Sequence, residues 1–262
     1  MSERTEVSDN AEVSDRAEVQ PIRSYDELLV ASDGDAFVRW CLHRDRPVTG
    51  WRFAGGVAFV RARPSLRTSL TVVAAPADAA AALPALLERA PQADWATLPH
   101  GTLDLVAHLT GAEGDDWEWM RVQDVPPAQP RQDEVLRLGP AHHDEITALL
   151  DVGNPRHSAP VDAPDVRAWY GVRDPRGRLV ACAAHSERVP GVPHLASIAT
   201  HPDARGQGLG AAITAAATTA ALRAGAPVVT LGMYSDNTVA RRLYARLGYV
   251  CTHHWSSRRL AR

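Results

Sequence analysis

The run Arg205-Gly206-Gln207-Gly208-Leu209-Gly210 opens an Ala-rich segment over residues 211–224. In this 262-residue chain it is the stretch whose residue types and spacing point most directly to chemistry. Glycine at every second position lets a ligand approach the backbone without a Cβ in the way. Leu209, Ile213, Ala216, Ala217 and Ala220 recur at helical spacing, so the glycines sit at a predicted helix N-terminus. The first turn of a helix has N–H groups without intrahelical acceptors and the positive end of the dipole, and so receives anions. The apolar run 194–200, between Pro193 and Pro202, predicts a strand leading into it. Strand, glycine turn and helix together make a diphosphate cradle.

The kind of diphosphate can be narrowed. A P-loop carries Lys and Ser/Thr after its last glycine, whereas Ala211-Ala212 follow here. A dinucleotide fingerprint spaces its glycines G-x-G-x-x-G and places an acid at the end of the next strand; here the spacing is G-x-G-x-G and the next strand, 228–231, ends in Gly232. The stretch resembles the acyl-CoA loop of the GCN5-related N-acetyltransferase (GNAT) family, Q/R-x-x-G-x-G/A, with Arg205, Gly208 and Gly210 filling it. A second segment carries the stronger half of the match. Asn237, Ala240, Leu243, Tyr244, Gly248 and Tyr249 fill the family pattern N-x-x-A-x-x-L/F-Y-x-x-x-G-F/Y, which forms the helix after the fifth strand. On that helix Val239, Leu243 and Leu247 are expected to face the core, with Ala240 and Tyr244 on the adjacent stripe.

The resemblance implies transfer of an acetyl or other acyl group from acetyl-CoA to the primary amine of a small molecule, amino acid or peptide, by direct attack on the thioester. An ammonium is not a nucleophile, so a proton must leave it, and the departing thiolate benefits from a donor. By resemblance Tyr244 is that acid. Many members place a Glu at the start of the fourth strand as base, and the matching position is His194, whose imidazole type titrates near neutral pH. His157, His185 and Glu187 are alternative bases, and Gly232 stands where other members carry an acid. The resemblance also implies that Ile198, Ala199 and Thr200 pair with the pantetheine arm along a splayed strand edge. Gly206, Gln207, Gly208, Leu209, Gly210 and Ala211 would hold the diphosphate, with Arg205 adding charge. Asn237 is a helix cap that also meets the CoA arm, and Trp255, His253 and His254 are candidates for a substrate pocket. With no Glu at position 194, a non-catalytic acyl-CoA-binding regulatory protein is the alternative.

Composition bounds the rest. All 28 basic residues are Arg, which excludes a lysine nucleophile or Schiff base. The net charge of −3 comes from the first twenty residues, and nothing suggests a nucleic-acid face. No apolar run is long enough for a bilayer and the N-terminus is not a signal peptide, so the expectation is a cytoplasmic protein, monomer or homodimer, off the membrane. Cys41, Cys182 and Cys251 read as free thiols; no metal site is expected.

The elements that must position these residues fall into three segments. Residues 1–20 read as a disordered acidic tail. Residues 21–130 read as a smaller α/β domain: helix 26–43, hairpin 57–63 and 66–74, helix 78–89, strand 94–98, helix 103–109 and strand 117–122. Pro126, Pro127 and Pro130 mark a linker. Residues 131–262 read as strand 134–138, helix 142–150, strands 169–173, 179–186 and 194–200, then the glycine loop and its helix. Strand 228–234, helix 238–247 and strand 250–256 complete it. That order implies an α/β (α+β) fold of the acetyltransferase type, a mixed, centrally splayed sheet flanked by helices. The first half repeats part of the order without a glycine loop and resembles a degenerate lobe of a tandem acetyltransferase.

Overall fold

The computed structural model of the chain describes residues 18–63, 67–157 and 160–261. Residues 1–17 of the expected tail lie outside the described residues; Val19 is buried and Gln20 begins the first strand. The first half runs β1 (Gln20–Ile22), α1 (Tyr25–Ala31), α2 (Ala36–Cys41), β2 (Gly50–Phe53), β3 (Gly56–Arg63), β4 (Arg67–Ala74), α3 (Pro76–Arg89), β5 (Trp95–Pro99), α4 (Leu103–Val106) and β6 (Thr110–Val122). The second runs β7 (Leu136–Leu138), α5 (His143–Gly153), β8 (Val166–Arg173), β9 (Leu179–Val189), β10 (Val192–Thr200), α6 (Leu209–Arg223), β11 (Val229–Tyr234), α7 (Thr238–Arg246) and β12 (Val250–Leu260).

The single helix expected over 26–43 is two. Asp33 and Gly34 take left-handed φ values of 53° and 71°, and Asp35 restarts the chain by accepting from the Phe37 and Val38 N–H groups at 2.9 and 3.0 Å. That break turns α2 so that Phe37 and Val38 are buried. His253 Nε2 of β12 lies 2.9 Å from the same carboxylate. Burial raises the Asp35 pKa, but the His253 bond and charge and the two N–H groups outweigh it and hold the carboxyl below its ordinary value.

All twelve strands form one open sheet in the order β1-β2-β3-β4-β5-β12-β6-β11-β10-β9-β8-β7. Each half contributes four antiparallel strands followed by one parallel neighbour: β4 beside β5 and β10 beside β11. The last strands are exchanged. β12, from the end of the chain, pairs with β5 of the first half, and β6 pairs with β11 of the second. β6 and β12 also pair with each other in the middle of the sheet. A buried hydroxyl relay crosses this seam: Ser69 to Thr97 at 2.9 Å, Thr97 to Ser257 at 2.9 Å, and Trp117 Nε1 donating to Ser257 at 2.9 Å. On the face toward α7, the Glu118 carboxylate of β6 is 1 % exposed and is held by the Arg241 guanidinium, which also donates to the Ser235 carbonyl at 2.8 Å. Removing Arg241 would leave the Glu118 carboxylate buried without its counter-charge, which is destabilising.

Helices cover the sheet with apolar stripes. Leu83 and Leu86 of α3 pack on Leu70 and Val72, Ile146 and Leu150 of α5 on Cys182 and Ala184, and Leu209 and Ile213 of α6 on Val180 and Ala181. The buried face of α6 is wider than the expected stripe: Leu209, Ile213 and Ala217 are buried together with Ala212, Thr214 and Thr218, and of the expected residues Ala220 is exposed. On α7, Val239 is 68 % exposed rather than facing the core, whereas Leu247 is buried and Leu243 packs half-buried against the same cluster as Tyr244.

Candidate active site

The parallel contact of β10 with β11 is limited to His194 opposite Thr230 and Leu195 opposite Leu231. Beyond Leu195 the strands part. The register of β10 against β9 slips between Ala196 and Ala199, where Ser197 takes a left-handed φ of 50°. This bulge bends β10 away from β11. In the first half the corresponding pair has three register partners and the β3–β4 ladder is uninterrupted. Pro76 rather than a glycine loop begins its helix, so the first half has no counterpart of the turn before α6 among the described residues.

The exposed edge of β10 is defined by alternation. His201 N–H donates to Val180 of β9 at 2.8 Å, and the Ala199 N–H is also turned to that side, toward the Cys182 thiol. The backbone groups of Ile198 and Thr200 therefore face the opening. Of the three residues expected to pair with a ligand arm, Ile198 and Thr200 offer their polar groups to it, whereas Ala199 is committed to β9. Asn154, just after α5, donates to the Ile198 carbonyl at 3.2 Å and enters this edge as a residue the sequence did not single out.

Past β10 the chain turns through Arg205, which reaches the Gly153 carbonyl at 3.4 Å, into the glycine loop. Gly206 and Gly208 have φ of 77° and 75°, and a Cβ on either would meet nothing within 4 Å, so this side of the loop is open. Ala211 and Ala212 both donate to the Gly208 carbonyl at 3.0 Å. The N–H groups from Gly206 to Gly210 precede that first helical bond and are the ones left for an anion. Gly210 serves packing: a Cβ there would come within 3.3 Å of Leu243 of α7. Gln207 accepts from Arg131 at 3.2 Å.

A cavity of about 370 Å³ fills the splay. Tyr244 and His194 both line it, as do Ser197, Ile198 and Asn237. The Tyr244 ring is 7 % exposed, and burial pushes its phenol well above the ordinary tyrosine value, so it holds its proton at any physiological pH. His194 Nδ1 lies 2.9 Å from the Thr230 hydroxyl, which donates onward to the Pro193 carbonyl at 3.3 Å. With the Thr230 proton given to Pro193, the hydroxyl oxygen accepts from His194 Nδ1. Asn237 caps α7 by accepting from Ala240 N–H at 3.0 Å. Of the alternative bases, His157 lines the cavity; His185 and Glu187 pair with each other at 3.5 Å outside it, and burial lowers the His185 pKa.

The outer wall belongs to the first half: Phe37 and Trp40 of α2, Arg61 and Arg67 of β3 and β4, and Trp117 and Trp119 of β6. The Trp117-Glu118-Trp119 pattern was readable as two aromatics on one face of a strand; that this face looks across to β10 was not, because strand exchange puts it there. The expectation for the last strand is corrected. Trp255 is buried behind Phe37, at a ring distance of 5.0 Å, and with His253 and His254 it borders a separate depression beside residues 31–33. From β12 only Ser257 reaches the cavity. His254 and Cys251 do stand near Glu118 in a grouping of metal-ligand type, but Arg241 already engages both oxygens of that carboxylate.

Residues 138–249 match the family model described as the acetyltransferase (GNAT) family. Among solved structures, the chain is similar to an acetyltransferase of the GNAT family from Novosphingobium aromaticivorans (26 % identity over 73 % of this chain and 84 % of that one, TM-score 0.52). It also shares the fold of a GCN5-related N-acetyltransferase from Sphaerobacter thermophilus, with 17 % identity, 95 % and 96 % coverage and a TM-score of 0.60. A third, from Kribbella flavida, has 21 % identity, 78 % and 86 % coverage and a TM-score of 0.51. No curated protein sequence matches the chain. No helix among the described residues is long and apolar enough to cross a membrane. The bulged strand, the parted neighbours and the glycine turn all fall within residues 138–249, the segment that matches the acetyltransferase (GNAT) family model.

Proposed function

We propose that the protein is an acetyl-CoA-dependent N-acyltransferase in which a primary amine attacks the thioester directly in the cleft between β10 and β11. The observation that carries this reading is the convergence of a proton-holding Tyr244 and an imidazole, His194, on one cavity floored by the open edge of β10. The diphosphate rests on the N–H groups of Gly206 to Gly210 with Arg205 beside it, Ala211 being committed to the Gly208 carbonyl, and the pantetheine arm lies along Ile198 and Thr200. Asn154 yields the Ile198 carbonyl to a pantetheine amide. His194 Nε2 takes the amine proton, the nitrogen bonds to the thioester carbon, and the C–S bond breaks as Tyr244 gives its proton to sulfur.

A covalent acyl-cysteine is disfavoured. Burial pushes the Cys182 thiol up to about 12 against the opposing Ala199 N–H, and burial with Glu118 pushes Cys251 up to about 11. The tandem character follows from the repeated element order of the two halves; the first half then serves as acceptor wall rather than as a second catalytic lobe.

The test is thiol release from acetyl-CoA across a panel of primary amines, with acid-quenched protein weighed before turnover. The expected result is amine-dependent release of free CoA and unmodified protein. Tight CoA binding with no release for any amine favours a regulatory CoA-binding protein, and a protein mass raised by one acetyl group contradicts direct attack, Cys41 on the cavity wall included. Gly208→Ala tests the cofactor site separately. Its left-handed φ costs a non-glycine residue roughly 1 kcal/mol, and the new Cβ projects into space reserved for the diphosphate. CoA affinity by calorimetry should fall roughly tenfold; unchanged affinity would remove the loop from the site.

A further inference from the structure

The cavity wall is unbalanced in charge. Four guanidiniums line it, Arg61, Arg67, Arg156 and Arg188, against one carboxylate, Asp115. Two are accounted for. Arg156 bonds Asp115 at 2.7 Å and Asp236 at 2.9 Å and lies over the Tyr234 ring, and Arg188 bonds Asp165 at 2.9 Å. Arg61 and Arg67 form no ion pair or hydrogen bond with any described residue. Arg61 stands over the Phe37 ring at 4.9 Å and Arg67 over Trp95 at 4.5 Å, which orients each guanidinium without neutralising it. Burial pulls the pKa of both down; Cys41 counters it in part at Arg61, where Arg188 and Arg67 add repulsion, and Tyr234 and the more distant Asp115 and Asp94 counter it in part at Arg67.

Two half-buried guanidiniums without a bonded carboxylate are costly to keep in one cavity unless an anion joins them. The cofactor does not supply it in the proposed reading, on which this inference rests. Its diphosphate is placed at the α6 N-terminus, whose residues 205–211 do not line the cavity, and the thioester end is neutral. Arg61 and Arg67 rise from β3 and β4, strands of the first half, across the opening from β10. We infer that the acceptor is an amine bearing a carboxylate, which Arg61 and Arg67 bind. Their planar forks suit a carboxylate in bidentate contact. Trp117, Trp119 and Phe37 offer an apolar wall for the remainder of the acceptor, and Gly232, where a Cβ would lie 3.6 Å from the Trp117 ring, leaves room beside it.

The experiment uses the full-length protein and acetyl-CoA. Amino acids are compared with their carboxamides at equal concentrations of free-base amine, in the wild type, Arg61→Gln, Arg67→Gln and Arg61→Lys. The wild type should prefer carboxylates by about ten- to a hundred-fold in kcat/KM. Each Gln variant should lose most of that preference through KM, Arg61→Lys should keep part of it, and CoA affinity should stay constant as the sign of an intact fold. Equal use of carboxylates and carboxamides by the wild type, or a preference that survives both Gln substitutions, would overturn the inference. Binding of N-acetyl amino acids to CoA-saturated protein, read by calorimetry against their carboxamides, decides it independently of turnover. Absence of thiol release then counts against the transferase reading alone.

Discussion

Tyr244→Phe should lower kcat by about a hundred-fold, within the range general acids contribute, while CoA affinity changes less than about twofold. The ring packs with Tyr249 at 5.9 Å and lies in the core formed with Met120, Leu231 and Leu247, and Phe preserves all of that contact. What the substitution removes is the proton that the proposed mechanism gives to the departing sulfur. The pH profile adds a second readout. The protonated phenol is the active form, and burial raises its pKa above the ordinary value of about 10. Activity should therefore rise as the acceptor amine loses its proton and not fall again on account of Tyr244 before about pH 10. An alkaline decline centred below that, present in the wild type and absent from Tyr244→Phe, would show a phenol ionising where the structure forbids it. A kcat unchanged by the substitution would remove Tyr244 from the acid role.

The second large effect concerns assembly. Residues 131–262, expressed alone, should not fold into a CoA-binding domain. The fragment lacks β6, so β11 loses its six-residue ladder from Val229 opposite Val122 to Tyr234 opposite Trp117. β12 loses both neighbours, β5 and β6, and Arg241 loses Glu118, the contact that orients the helix carrying Tyr244. Open strand edges of this length pair with other chains, so aggregation is the expected state. Co-expression with residues 1–130 should restore solubility and CoA binding, because the exchanged strands then find their partners. A monomeric 131–262 fragment with wild-type CoA affinity would contradict the exchange.

How far the sequence went follows from where each signal lies. The glycine loop and Tyr244 were legible because their chemistry depends on neighbours a few residues away. The element order was legible for the same reason: Pro and Gly punctuate it, and only the short edge strands β1 and β2 and the break at Asp33-Gly34 escaped. Ser197 was not legible, since a left-handed serine in a strand is imposed by the ladder it sits in and leaves no compositional mark. The acceptor wall was hidden for a different reason. Arg61, Arg67 and Trp117 stand far from Tyr244 in the chain and meet the site only because β6 and β12 cross over. The same crossing moved Trp255, His253 and His254 away from the pocket they were expected to line. Periodicity describes one element at a time, and an exchange of strands between halves is a property of the pairings.

The most direct test of direct acyl transfer in the β10–β11 cleft is a crystal structure with CoA bound. The diphosphate should lie on the N–H groups of residues 206–210, the pantetheine amides should pair with Ile198 and Thr200 with Asn154 displaced, and the sulfur should come within hydrogen-bonding reach of the Tyr244 hydroxyl with His194 across the cavity. A CoA whose sulfur ends away from Tyr244, or whose arm leaves the edge of β10 empty, would contradict the account.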